Sequence, residues 1–305
     1  MKMPQDNRNL SRRGLLAGAG ATLAAAALAG RIQAAEEKTP EKVIHNDHIR
    51  QTMCKWCWPK WSMEEACRNA AALGMGGIDL VGPDSFATIK KYNLTATTLN
   101  THPIPTGLNR KQYHPMCLEK IRNAIEAAAE NGSPNVICFS GNRSDKTKGA
   151  QQPAEVSAEE GMKTCAEALK EVVGLAEQKK VTIIMELLNS RVNHKDYMCD
   201  NTPWGVALCK MVGSERFRLL FDIYHMGIMG EDVIAMIKEH HPYFAHYHTA
   251  GVPGRHEIDD SQTLKYPAIM RAIVDTGYKG WVGQEFIPTK DPLASLAQAC
   301  KICDV

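Results

Sequence analysis

The stretch FRLLFDIYHMG, residues 217–227, passes from a run of apolar residues into Asp222 and, three positions later, His225. In an extended strand alternate side chains share a face, so Leu220 and Asp222 point one way and Leu219 and Phe221 the other. If Phe221 packs beneath a helix, Asp222 points inward at the end of the strand, with His225 on the turn above it. The stretch is expected to be a buried strand whose carboxyl end carries an ionisable group.

Seven more short apolar runs flank this one: IRQTMCKWC (49–57), GGIDLVG (76–82), LTATTLN (94–100), NVICFSG (135–141), VTIIMELL (181–188), YFAHYH (243–248) and GWVGQEF (280–286). Longer amphipathic stretches with recognisable ends lie between them. Ser62 with Glu65 and Ser157 with Glu160 read as capping boxes, and Thr202 before Pro203 reads as an N-cap followed by proline. Gly74 and Gly277 stand where helices should stop, and DPLASLAQACKIC (291–303) reads as the last helix. Eight strand-helix repeats in about 260 residues predict a single (β/α)8 TIM barrel over residues 43–305. A doubly wound open sheet is the alternative, but no G-x-G-x-x-G or P-loop follows the first run, so a nucleotide-binding version has no support. HPIPTGLNRKQYHP (102–115) and NSRVNHKDYMCDNTP (189–203) exceed ordinary connections and read as functional loops at strand ends.

Composition agrees with a globular domain: the chain of 305 residues is 44% hydrophobic and 23% charged. Residues 1–35 stand apart. NLSRRGLLAGAGATLAAAALAGRIQAA (9–35) combines Arg12 and Arg13, a short Ala/Leu/Gly stretch and small residues at Ala34 and Ala35. That order predicts a twin-arginine-type signal peptide and export to the periplasm or another extracytoplasmic space, with no stable membrane span in the mature chain. An uncleaved N-terminal anchor is the competing reading. Lys2, Arg8, Arg12, Arg13 and Arg31 against Asp6 give residues 1–34 a net +4, so the formal +2 of the whole chain becomes about −2 without them. Such a surface is a poor match for nucleic acid.

All ten cysteines lie after the leader, which suggests disulfides in an exported protein. Their spacing supports buried thiols better. On a strand, Cys54 and Cys57 would face opposite sides, which argues against shared ligation, whereas Cys300 and Cys303 on a helix would share one.

In such barrels the active site gathers at the C-terminal ends of the strands. Read there, four consecutive runs present Glu186, Asp222, His248 and Glu285. One carboxylate at a strand end is readily a helix cap. Three converging on one mouth would repel and raise each other's pKa unless a cation compensates. The set therefore points to one divalent metal ion held by Glu186, Asp222, His248 and Glu285. Three oxygens and an imidazole favour Mn²⁺ or Mg²⁺, with Co²⁺ or Zn²⁺ also compatible, and the scarcity of thiolates makes the site catalytic rather than structural.

Around these four, His225 and Arg255 are candidates for holding substrate oxygens, against readings as a loop histidine and a solvated loop charge. His102, Asn142 and Trp58 are further candidates. Trp58, with Trp56 and Trp61, can wall a pocket and stack on a sugar face, or simply pack. His246, one layer below His248, reads as a hydrogen-bonded core histidine, and Gly283, below Glu285, as room beside the metal. A metal that polarises a carbonyl and its neighbouring hydroxyl acidifies the C–H between them. Glu186 and Glu285 are the natural pair to remove that proton and return one, through an enediolate.

At these residues the chain resembles the xylose isomerase-like barrels, and within them the hydroxypyruvate isomerase-like sugar isomerase/epimerase group. The resemblance rests on CKWCWPKWSMEEACRNAAALGMGGIDLVGP (54–83), FSGNR (139–143), FDIYHMGIMGED (221–232), HTAGVPGRHEID (248–259) and GYKGWVGQEFIPTKDPLASL (277–296). It implies a divalent metal on Glu186, Asp222, His248 and Glu285, proton exchange by the two glutamates, and His225 and Arg255 beside substrate oxygens. At His248 the hydroxypyruvate isomerases usually carry glutamine, whereas the ketose epimerases carry histidine.

The expected activity is metal-dependent isomerisation or epimerisation of a small hydroxy-carbonyl compound, either a carbohydrate or a hydroxy-keto acid. A keto-sugar or keto-inositol dehydratase or lyase, and a non-catalytic exported carbohydrate-binding barrel, are the alternatives. The partners expected are a small molecule and no nucleic acid, and the sequence is compatible with a homo-oligomer.

Overall fold

Parallel strands buried on both faces need helices outside and side chains inside, and the apolar runs deliver both. The structure, a computed structural model, describes residues 40–46, 48–146 and 155–305; the segment 1–35 read as a leader lies outside the described residues. Among these, the strands are β1 (Arg50–Cys54), β2 (Gly77–Asp79), β3 (Thr95–Ala96), β4 (Thr98–Leu99), β5 (Asn135–Cys138), β6 (Thr182–Glu186), β7 (Phe217–Asp222), β8 (Phe244–Thr249) and β9 (Trp281–Gln284). The helices are α1 (Met63–Leu73), α2 (Phe86–Lys91), α3 (His114–Asn131), α4 (Ala158–Lys170), α5 (Val173–Lys179), α6 (Thr202–Val212), α7 (Ile223–Met229), α8 (Val233–His240), α9 (Tyr266–Asp275) and α10 (Pro292–Cys303).

The strand order is β3-β2-β1-β9-β8-β7-β6-β5-β4, and the strand pairs are parallel. The third run, expected as one strand, is split at Thr97 into β3 and β4. β3 pairs back to β2 and β4 forward to β5. Val81 and Leu99 form a further parallel bridge, with the Val81 N–H donating to Thr98 O at 3.1 Å, so the third run carries the sheet round from β2 to β5. The architecture is a TIM-barrel-like α/β fold.

Leu219, Leu220 and Phe221 are fully buried, and Phe221 packs on Phe244 with ring centroids 4.6 Å apart. Burial of each such side chain contributes about 1.5–3 kcal/mol. The serine half of each expected capping box forms: Ser62 accepts from the Glu65 N–H and Ser157 from the Glu160 N–H. The cap of α6 is Asn201 rather than Thr202. Asn201 accepts from the Trp204 N–H at 3.0 Å, while Thr202 is drawn into the helix by donating its N–H and hydroxyl to Glu231. Gly74 takes the left-handed conformation that ends α1, with φ +92°.

Two long loops are fastened to each other over the strand ends. At Gly107 a Cβ would lie 2.3 Å from the Gly141 nitrogen, so the loop after β4 meets the FSGNR turn backbone to backbone. Arg143 reaches on to the loop after β6 through Tyr197 O and the Asp200 carboxylate. No helix among the described residues is long and apolar enough to cross a membrane.

All ten cysteines are free and buried. Cys54 ends β1, but Cys57 lies in a 3-10 turn rather than on the strand, so face alternation does not govern that pair. Burial pushes the pKa of the Cys300 thiol well up and that of Cys303 to about 12, as suits thiols that pack as small apolar groups.

Candidate metal-binding active site

Glu186 closes β6, Asp222 closes β7, His248 lies one residue before the end of β8, and Glu285 directly follows β9. These are the carboxyl ends of four neighbouring strands. All four side chains are buried, and one ligand atom from each lies within 4.8 Å of the others. His248 Nδ1 is 3.0 Å from Glu285 Oε2 and 3.7 Å from Glu186 Oε1. Neither His248 Nδ1 nor Glu186 Oε1 has a hydrogen-bond partner. Buried polar atoms without partners are uncommon. Carboxylate oxygens and an imidazole nitrogen aimed at one small volume have the chemistry to hold a divalent ion, so the residues fit the group the sequence implied.

The electrostatics divide the three carboxylates. Burial pushes the Asp222 pKa well up, and the Glu285 charge adds to it. Glu186 is raised for the same two reasons. For Glu285 burial acts in the same direction, but Arg255 first and His248 second outweigh it and hold the group well below the usual carboxylate range. Glu285 is therefore the persistent anion, and Glu186 the carboxyl more inclined to carry a proton.

Asp222 uses its two oxygens differently. Oδ1 accepts the His225 N–H at 2.9 Å and caps α7, while Oδ2 lies 3.6 Å from His225 Nε2. The strand thus ends on a residue that both starts the helix and faces the site. His225 lies inside α7 and is fully buried, not on an open turn. Asn189 fixes its tautomer. The Asn189 Oδ1 accepts from the Val192 and Asn193 N–H groups, so its Nδ2 donates to His225 Nδ1 at 2.6 Å. The proton of the neutral ring must then sit on Nε2, which has no other partner. Burial, followed by Arg255, holds the His225 pKa well below its ordinary value.

Arg255 donates to Glu285 Oε2 at 2.8 Å, and its guanidinium carbon lies 5.1 Å from the Trp56 ring centroid and 5.6 Å from that of Tyr224. Trp56 is exposed and donates Nε1–H to Glu285 Oε1 at 2.9 Å. Of the three tryptophans it is Trp56 that reaches this cluster. Trp58 is buried, donates to Pro292 O at 3.2 Å and packs on Trp61 and Phe286. His102 is engaged away from the cluster, with Nε2 accepting from the Phe139 N–H at 3.4 Å and Nδ1 3.2 Å from Pro103 O. Asn142 lies in the fastened loops, its N–H donating to Pro105 O and its carbonyl accepting from Asn109.

Beneath the site lies a layer the strand-end reading did not include. Asp79, at the end of β2, is fully buried, and its Oδ2 meets both His246 Nε2 at 2.5 Å and His248 Nε2 at 3.0 Å. Cys54 Sγ is 3.6 Å from the same His248 nitrogen. Gly283 does not leave space for an ion: a Cβ there would lie 2.8 Å from His248 Cδ2 and 2.9 Å from Asp79 Oδ2, so the glycine makes room for that pair. Asp79 carried the same signal as Asp222, an acid closing an apolar run. Asn189 and His194, whose ring lies 5.2 Å from that of His225, sit in the loop after β6 and had no such signal.

Residues 67–303 match a family model described as xylose isomerase-like TIM barrel. A Homo sapiens protein provisionally named hydroxypyruvate isomerase is 28% identical over 179 residues, 59% of this chain and 63% of that protein. A 2-oxo-tetronate isomerase of Cupriavidus necator is 33% identical over 144 residues, 47% of this chain and 55% of that protein. The chain thus spans less than two thirds of either relative. Among solved structures, an AP endonuclease, family 2, from Brucella melitensis superposes with a TM-score of 0.70 at 22% identity, covering 82% of this chain and 98% of that one. A likeness at that identity speaks for the fold alone.

Proposed function

The chain belongs to the xylose isomerase-like TIM barrel family, and from that premise we propose that it is a divalent-metal-dependent isomerase or epimerase of a small hydroxy-carbonyl compound or sugar. The observation that carries the reading is the convergence of Glu186, Asp222, His248 and Glu285, one ligand atom from each within 4.8 Å, at neighbouring strand ends. The names of the relatives point to the same reaction class.

In this reading a cation held by those four residues stabilises negative charge as it develops on the substrate's oxygens. The protein supplies the proton transfers. Glu285, kept ionised by Arg255, removes the proton beside the carbonyl, and Glu186 delivers one from its acid form. His225 offers Nε2–H to a substrate oxygen, Arg255 fixes the approach of Glu285, and Trp56 covers the mouth. We place the reaction outside the cytoplasm, reached by a twin-arginine route that exports a folded, metal-loaded protein. Mature cytoplasmic protein retaining residues 1–34 would sink that part of the proposal.

The test is to incubate Mn²⁺-loaded protein with hydroxypyruvate and a series of ketoses in D₂O. Deuterium should enter at the carbon next to the carbonyl as the isomer or epimer forms. Product formed without deuterium would exclude glutamate-mediated exchange, and a product lighter by one water would assign the site to a lyase.

A further inference from the structure

An imidazole can ligate a cation through either nitrogen, and the geometry below the site selects one of them. We propose that Asp79, braced by His246 and admitted by Gly283, is a positioning residue that sets the tautomer and angle of His248 so that its Nδ1 lone pair faces Glu186, Asp222 and Glu285. The inference rests on the reading of those four residues as a cation site.

An ionised carboxylate only accepts hydrogen bonds. Because Asp79 Oδ2 lies 3.0 Å from His248 Nε2, that nitrogen carries a proton, so Nδ1 is the nitrogen left to offer a lone pair when the ring is neutral, as it must be to hold a cation. Nδ1 is the atom that lies 3.0 Å from Glu285 Oε2 and has no hydrogen-bond partner. Asp79 is itself held: Oδ1 accepts the Leu80 N–H at 3.1 Å, and His246 Nε2 donates to Oδ2. Asp79, His246 and His248 are all fully buried, so water does not compete for these bonds. The backbone is arranged around the same contact. In the register of β8 against β9, His248 stands opposite Gly283, where any side chain would collide with both His248 and Asp79. A carboxylate behind a ligating histidine fixes its ring and strengthens it as a ligand, and loss of such a partner costs roughly 10- to 100-fold in metal affinity.

Cys54, Asp79 and His248 could instead form a second ion site, since their ligand atoms also lie within 4.8 Å of one another. The hydrogen bonds already made there favour the positioning role, because a metal on His248 Nε2 would need the nitrogen whose proton Asp79 accepts.

The experiment uses the full chain and its Asp79→Asn, Asp79→Ala and Gly283→Ala variants. Mn²⁺ affinity and stoichiometry are read by electron paramagnetic resonance. In Zn²⁺-loaded protein, long-range ¹H–¹⁵N spectra report which nitrogen of His248 is protonated. The expected results are one ion per wild-type chain, binding weakened about 10- to 100-fold in Asp79→Ala and Gly283→Ala, and a smaller loss in Asp79→Asn, which can still accept one hydrogen bond. The slowly exchanging Nε2–H of His248 should disappear in Asp79→Ala. Gly283→Ala removes no polar atom and carries the test if Asp79→Ala does not fold. Affinity within twofold of wild type in folded Asp79→Ala or Gly283→Ala overturns the proposal, as do two ions per wild-type chain with one lost on removing Asp79. Wild-type protein that binds no ion would instead bring down the cation-site reading itself.

Discussion

Asp222 holds a helix cap on one oxygen and a place in a buried acidic cluster on the other, and two substitutions separate these roles. Asp222→Asn keeps an oxygen to accept the His225 N–H but removes a carboxylate whose ionisation burial and Glu285 oppose. Asp222→Ala removes both. The folded-state pKa of Asp222 lies above its unfolded value, so above the unfolded pKa its ionisation favours the unfolded chain. Metal-free Asp222→Asn should therefore melt above metal-free wild type at neutral pH. Asp222→Ala should fall below the asparagine variant by the worth of the cap, about 1 kcal/mol, or roughly 2–4 °C for a domain of this size.

The proposed ligand role is tested by adding metal. An ion at 100 times its dissociation constant stabilises the folded chain by about 2.7 kcal/mol, which corresponds to a rise of roughly 5–10 °C. Wild-type protein melted in EDTA and in excess Mn²⁺ should show that rise, and neither variant should. Three results would refute the reasoning. An undiminished rise in Asp222→Asn would remove Asp222 from the ligand set. Equal metal-free melting of the two variants would deny the cap its energy. A metal-free asparagine variant less stable than wild type would mean that the acidic cluster is not under strain.

Glu186→Gln and Glu285→Gln should each lower the rate of deuterium exchange by at least about 100-fold, and a near-normal rate in either frees that residue of a proton-transfer role. Glu257 is held by hydrogen bonds from its own N–H, from Thr289 and from Ser295, which against the effect of burial lower its pKa to about 2. Its stabilisation is present above the unfolded pKa and is lost as pH falls toward 2. Glu257→Gln should thus cost about 2–3 kcal/mol in urea unfolding at pH 7, and a cost below about 0.5 kcal/mol would contradict the assignment. Burial lowers the His102 pKa to about 4, so the unfolded chain takes up a proton first as pH falls from 6.5. Wild-type stability should lose up to about 3 kcal/mol more than His102→Gln between pH 6.5 and 4, and parallel pH profiles would show that His102 is not held neutral.

The barrel was legible because its signals are local. The apolar runs, the caps at Ser62 and Ser157 and the stop at Gly74 each need only a few neighbouring residues, and all but the third run, which splits at Thr97, form as read. Asn201 displaced Thr202 as a cap because Glu231, 29 residues away in sequence, claims the threonine. Strand ends could be read one at a time as well, which is why Glu186, Asp222, His248 and Glu285 were found without knowledge of what lay between them. The choice among Trp56, Trp58 and Trp61 was not local. It depends on a 3-10 turn after β1 that sends Trp56 toward Glu285 and Trp58 toward Pro292.

Asp79 lies beyond the reach of such local signals. Its strand is remote in sequence from the four that carry the cluster, and only the pairings β8 with β9, β9 with β1 and β1 with β2 bring it beside His248. Gly283 is the local sign of that contact in the sequence, but a glycine there is as compatible with an adjacent ion as with an adjacent side chain. A glycine on an inward strand face says that something else occupies the volume of a side chain, and composition does not say whether that is an ion or two neighbouring residues. Here the occupants are His248 and Asp79, at distances where one methyl group would separate them. That makes Gly283→Ala a sharper probe than deletion of any polar group. It leaves each ligand and each hydrogen-bonding atom in the chain, so weakened metal binding in that variant would come from displacement of His248 and Asp79 rather than from a lost group.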